Sequence, residues 1–235
     1  MKKIIHRSDT RGYYDYGWLK TNHTFSFSSY YDPNRMNFGM LRVLNDDIVA
    51  AGQGFGAHPH NDMEIVSIPL SGALAHRDST GTEEVIYPND IQIMSAGTGI
   101  EHSEYNYSKD KETNFLQLWI FPNGKGHQPR YDQKSFTPEE RKNKLLPVVS
   151  PKNNGSLWLN QDAYLTMTEL SKKMSLNYKI NTIGNGVYIF LIDGKISIDQ
   201  EILSRRDGMG ISEAEEISFS AEDDSQILFI EVPMK

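Results

Sequence analysis

Apolar residues come in short runs along this chain, each ended by Gly, Pro, Asn, Asp or Ser. That rhythm predicts β-strands separated by turns. Residues 64–70 read as a strand turned by Ser71-Gly72, with 73–77 as its return. A turn at Asp78-Ser79-Thr80-Gly81 leads into a strand over 83–87. Pro88-Asn89-Asp90 turns the chain again into a strand over 91–94, followed by a Gly-rich loop over 95–99, and residues 115–121 close the set. The second half repeats this order. It has a strand over 187–192, a turn at Asp193-Gly194 and a strand over 195–198. A turn at Asp207-Gly208 then leads to a strand over 209–211, and a closing strand runs over 226–232. The best helix candidate is 137–144, where Thr137 suits the cap, Pro138 the first helical position and Glu139-Glu140 the positive end of the helix dipole. The expected organisation is all-β: a first lobe over 1–130, a linker with a short helix over 131–150, and a second lobe over 151–235. Many short strands of this kind make a sandwich or a barrel.

Two polar pairs stand out against this pattern. His58-Pro59-His60 precedes the strand at 64, and His102-Ser103-Glu104 follows the Gly-rich loop. On an extended chain, residues two apart point to the same face, so each pair can converge on one point. Pro59 biases His58 toward the extended conformation this needs. An isolated His-x-His is common without any metal. Two pairs separated by a meander that returns one strand beside the other are a stronger signal, offering three nitrogens and a carboxylate to one cation. His6, His23, His76 and His127 have no such partner and read as hydrogen-bonded or exposed histidines. Glu64 could be a fifth ligand, a group behind the ligands, or an ordinary strand residue. Phe55, Met63, Ile65 and Met94 read as core, with a cavity lining as the alternative. All seven histidines lie at or before 127, so the second lobe is expected to hold no metal.

Composition narrows the chemistry. Cysteine is absent, so any metal site here uses imidazole and carboxylate, and no disulfide framework exists. Such N/O ligands suit Fe(II), Mn, Co, Ni or Cu, and Zn as a redox-silent occupant. A formal net charge of −7 argues against a partner held by its phosphates, so no direct nucleic-acid partner is expected. No run approaches the ~20 apolar residues of a membrane helix, and the start of the chain turns polar by His6 without a signal-like core. The expectation is a cytoplasmic monomer without membrane attachment.

The spacing Gly52-x5-His58-x-His60-x3-Glu64, then Gly72, resembles the first cupin motif, and Asp90-x6-Gly97-x-Gly99-x2-His102 a degenerate second one with Ser95 at the usual proline. A closer resemblance is to pirin and the pirin-like bacterial proteins. It rests on Asp15-Tyr16-Gly17-Trp18-Leu19, Thr24-Phe25-Ser26-Phe27, Tyr31-Asp32-Pro33 and Leu41-Arg42-Val43. It continues through the segment 54–60 and the run 95–104, covers the first lobe in order and is thin beyond 150. The resemblance implies a bicupin, two antiparallel β-barrel (jelly-roll) lobes. It implies one divalent metal, Fe(II) above all, on His58, His60, His102 and Glu104, with Glu64 not a ligand. It also implies quercetin 2,3-dioxygenase activity, with a flavonol and O2 as substrates; in such a reaction Glu104 is the best candidate for the catalytic base that takes the flavonol 3-hydroxyl proton. The alternatives are a metal-binding regulatory or redox-sensing protein without flavonol turnover, and a non-redox cupin enzyme such as an isomerase.

Overall fold

The structure is a computed structural model that describes residues 1–151 and 155–235; residues 152–154, at the start of the expected second lobe, lie outside it. The first half carries β1 (Lys2–His6), β2 (Gly12–Asp15), β3 (Leu19–His23), β4 (Leu41–Val49), β5 (Gly54–His60), β6 (Glu64–Ser71), β7 (Leu74–Asp78), β8 (Glu83–Ile86), β9 (Asp90–Ser95), β10 (Ile100–Asn106), β11 (Thr113–Ile120) and β12 (Arg130–Ser135). One helical turn follows, α1 (Pro138–Arg141). The second half carries β13 (Leu146–Val149), β14 (Tyr164–Leu170), β15 (Ser175–Lys179), β16 (Asn185–Asp193), β17 (Lys195–Ile198), β18 (Glu201–Ser204), β19 (Gly208–Ser212), β20 (Glu216–Ala221) and β21 (Ser225–Pro233).

These strands form four sheets. In the first half a seven-stranded sheet, β12-β9-β6-β11-β4-β3-β2, faces a four-stranded one, β5-β10-β7-β8. In the second half a six-stranded sheet, β1-β19-β16-β21-β14-β13, faces β15-β20-β17-β18. The two orders superimpose strand for strand: β9-β6-β11-β4 matches β19-β16-β21-β14, and β5-β10-β7-β8 matches β15-β20-β17-β18. The weak repeat in the sequence is thus a repeat of topology. The expected closed barrels are corrected: each lobe is an open two-sheet sandwich, because hydrogen bonding is interrupted where the chain passes from the large sheet to the small one. Two strands also cross the boundaries drawn from sequence. β1 pairs with β19 of the second half, and β12 adds to the first-half sheet through β9. The expected helix is cut to one turn; Thr137 and Glu140 form a reciprocal capping box, but Lys142 is already extended. No helix among the described residues is long and apolar enough to cross a membrane.

The largest core lies between the lobes. Val66, Ile68, Leu116 and Leu118 on the outer face of the seven-stranded sheet pack with Leu165, Phe190, Leu228 and Ile230 of the six-stranded sheet. β16 and β21 are buried on both faces, which is why they read as unbroken apolar runs. The interior of the second sandwich is filled by Tyr178, Ile217, Phe219 and Phe229, where β15 and β20 occupy the places that β5 and β10 hold in the first lobe. The first sandwich is packed differently. Its apolar residues fall into two small clusters, one around Leu19, Leu74 and Phe115 and one around Ile65, Met94 and Ile100. Between them lies a buried polar layer that includes His23, Asn45, Asp47, Ser67, His76, His102 and Glu104.

Candidate metal centre

β5 and β10 run antiparallel with His102 directly across from His58. A bulge between His102 and Glu104 then sets Glu104 across from Phe55. The loop that delivers β10 turns at Gly97, φ +47°, where a side chain would collide with the His127 carbonyl. Gly54 is constrained similarly, lying against the backbone of Glu104 and Tyr105. The result is a tight imidazole cluster. Ring centroids lie 4.5 Å apart for His58–His102, 4.8 Å for His58–His60 and 4.9 Å for His60–His102. One ligating atom of each comes within 4.8 Å of the others, close enough for one cation to be reached by all three with small side-chain adjustments.

The hydrogen bonding fits such an ion. His58 Nδ1 lies 2.7 Å from the Gly56 carbonyl, which can only accept, so Nδ1 carries the proton and Nε2 keeps its lone pair. Both ring nitrogens of His102 are buried without a hydrogen-bond partner. A buried imidazole left in that state is rare, and a cation provides the missing partner. Burial, then the neighbouring His102 and His58, push His60 down to about 4. Burial, then His58 and His76, push His102 down to about 3. Both are therefore neutral near pH 7, as ligation requires.

Glu104 is buried and held at both oxygens. Ser67 Oγ donates to Oε1 at 3.0 Å, and Gln117 Nε2 donates to Oε2 at 2.7 Å. Trp119 Nε1 donates to Gln117 Oε1 at 3.3 Å, and its ring meets His60 edge-on at 4.9 Å. Ser67 and Gln117 are directly opposite each other on β6 and β11. Neither was singled out from sequence; the available signal was one polar residue interrupting each apolar strand.

Family comparisons decide what this arrangement belongs to. Residues 5–120 match the family model described as Pirin, and residues 147–232 match the quercetinase C-terminal cupin domain. The chain is 42% identical over 229 residues to a quercetin 2,3-dioxygenase of Escherichia coli K12, covering 97% of this chain and 98% of that one. The chain belongs to the pirin family. It is also 36% identical over 225 residues to a pirin-like protein of Caulobacter vibrioides, covering 95% and 96% of the two chains. Among solved structures it is similar to YhhW of E. coli, with a TM-score of 0.94 at 41% identity, covering 99% and 98%. It is likewise similar to bacterial pirin YhhW in complex with nickel(II), with a TM-score of 0.93 at 40% identity, covering 99% of each chain.

In this pirin Glu64 faces away from the imidazoles. It accepts from Ser95 Oγ at 2.7 Å and from Asn160 Nδ2 at 3.0 Å, joining the lobes. Strand alternation explains this: Glu64 shares a face with Val66 and Ile68, while Ile65 and Ser67 point inward. Ile65 and Met94 are buried core, with Met63 packed against them. Phe55 instead lines a cavity of about 240 Å³ together with His58, His60, Glu104, Phe27 and Trp119. His23 and Asp47 line the same cavity, and sequence reasoning singled out neither for the site. Burial, then Arg11, pushes His23 down to about 4. Burial pushes the Asp47 carboxyl up to about 7, with Asp46 and Glu104 adding repulsion. His6 pairs with Tyr188 at 2.9 Å and His127 with Asn123 at 3.1 Å, both outside the cluster. His76, read from sequence as a hydrogen-bonded or exposed histidine, is buried and hydrogen-bonded to Asp78 at 2.9 Å; it also sits directly across from Glu104, and its ring lies 5.4 Å from that of His102.

Proposed function

We propose that this pirin is a metal-dependent dioxygenase of the quercetin 2,3-dioxygenase type, with His58, His60, His102 and Glu104 as the ligands of one divalent ion. The observation that carries the reading is the clustering of the His58, His60 and His102 imidazoles, with ligating atoms within 4.8 Å of one another, beside an aromatic-lined cavity that His58, His60 and the buried Glu104 line. The E. coli relative named quercetin 2,3-dioxygenase and the nickel(II) complex of YhhW support it. Fe(II) is the occupant we favour; nickel and the other N/O-seeking divalent ions suit the same donors. When bound, such an ion supplies a Lewis acid that lowers the pKa of a flavonol 3-hydroxyl, and redox access to O2.

The chain supplies the rest. Glu104 takes the 3-hydroxyl proton, and its two oxygens are kept in place by Ser67 and Gln117. Phe27, Phe55 and Trp119 give a flat aromatic its apolar walls. Asp47, with a carboxyl that exchanges its proton near neutral pH, is a second proton carrier at the same cavity. The net reaction adds both atoms of O2 to the flavonol and expels one ring carbon as CO. The test is anaerobic reconstitution with each divalent ion, followed by O2 uptake and CO release over a panel of flavonols and other enolisable phenols. Turnover no faster than that of the free ions would sink the oxygenase reading and favour a metal-binding regulatory protein.

A further inference from the structure

Two three-residue groups in this lobe could hold an ion, and they overlap. Beside the outer group of His58, His60 and His102, one ligating atom each of His76, His102 and Glu104 lies within 4.8 Å of the others. Register explains the second group. On β7, His76 lies across from Glu104 and Asp78 across from His102. All three members of this inner group are buried, whereas His58 and His60 are half-exposed.

His76 is built as a ligand would be. Its Nε2 lies 2.9 Å from Asp78 Oδ2. The Asp78 carboxylate is itself anchored, accepting at Oδ1 from Thr80 N at 2.9 Å and Thr82 N at 3.2 Å. A carboxylate accepts, so Nε2 carries the proton and Nδ1 keeps the lone pair. That Nδ1 is buried without a hydrogen-bond partner. A carboxylate behind one ring nitrogen and a bare lone pair on the other is the arrangement that orients metal-ligating histidines. The ring of Tyr131 lies 4.7 Å from that of His76 and helps fix its orientation.

We propose that the lobe has a second, inner cation position on His76, His102 and Glu104. It shares two side chains with the outer position, so one ion occupies either place but two do not occupy both. The donors are two imidazoles and a carboxylate, which suit Co(II), Ni(II), Fe(II) or Zn(II). This inference rests on reading the outer histidines as ligands, and the experiment separates the two.

Wild type and a His58→Ala/His60→Ala variant are titrated with Co(II), following its visible absorption and the bound ion by elemental analysis. The wild type is expected to bind one ion, and the double variant still to bind one, more weakly. Adding His76→Ala to the double variant should abolish binding, and adding Asp78→Asn should weaken it roughly 10–100-fold, the usual cost of removing the partner behind a ligand. A double variant that is folded and binds no Co(II) overturns the inner position while leaving the outer one standing. Retention of Co(II) after His76→Ala is added overturns it too. Failure of the wild type to bind any ion removes the outer reading itself. If the alanine pair does not fold, His58→Gln/His60→Gln carries the same test, since both positions are half-exposed and tolerate a polar side chain.

Discussion

Replacing Glu104 by Gln separates charge from shape. The amide can turn its carbonyl toward Gln117 Nε2 and its NH2 toward Ser67 Oγ. Both contacts then survive, because a hydroxyl accepts as readily as it donates. The fold should therefore lose no more than about 1 kcal/mol. What disappears is the negative charge and nearly all the basicity. A lost general base costs about 10²–10⁴ in rate, or roughly 3–5 kcal/mol of transition-state stabilisation. Both proteins are loaded anaerobically with Fe(II), and occupancy is checked by elemental analysis. Quercetin loss, O2 uptake and CO are then followed at saturating flavonol. We expect turnover to fall by 10²-fold or more at equal occupancy. A fully loaded variant that turns over within about threefold of wild type would refute Glu104 as the base. If turnover recovers when excess metal restores occupancy, Glu104 acts only as a ligand.

Four further outcomes follow from the same geometry. His58→Ala and His60→Ala should each lower metal content in wild-type background, and His127→Ala, which removes only a contact to Asn123, should not; equal metal content in all three would contradict the ligand assignment. Gln117→Leu frees Glu104 Oε2 and should weaken metal binding roughly 10–100-fold by titration against a competing chelator, and unchanged affinity would show that Oε2 needs no such anchor. Asp47 is raised to about 7 in the fold from 3.8, so its burial favours the protonated form; that stability is present below about 4 and is lost as pH rises through about 7. Asp47→Asn should therefore raise the melting temperature at pH 8 relative to pH 5, by an effect of up to about 3 kcal/mol, and an identical difference at both pH values would contradict it. In metal-free protein, His6, His23, His60 and His102 are held neutral, with folded values of about 3 to 4. The unfolded chain then binds more protons as pH falls below about 6.5, four imidazoles outweighing the single opposing Asp47, so the urea midpoint should drop between pH 7 and 5; a flat midpoint would show these histidines to be hydrated.

Much of the candidate site was legible because its grammar is local. His58 with His60, and His102 with Glu104, share a face by strand alternation alone, and turn residues marked the strands that carry them. The strand order of the second half was legible for the same reason: turns at Gly194 and Gly208 bracket apolar runs whose ends match β16, β17 and β19 to within a few residues. The rest depended on neighbours that are distant in sequence. Nothing near residue 76 says that β7 will pair with β10 and set His76 across from Glu104. Nothing near residue 47 says that one of two adjacent aspartates meets Arg206 between the lobes while the other enters the cavity. Glu64 looked available to the site until the packing of the two large sheets drew its face of β6 toward Asn160. Likewise β1 crosses to the second half, and the sheets stay open, because pairing is set by which edges meet in three dimensions. By itself the sequence determined the strands, the turns and the two polar pairs, since these follow from the backbone's period of two and from turn chemistry. Only the tertiary structure decided register, which face of each strand is inner, and which polar groups lose their water, because those properties belong to pairs of strands and to no single one.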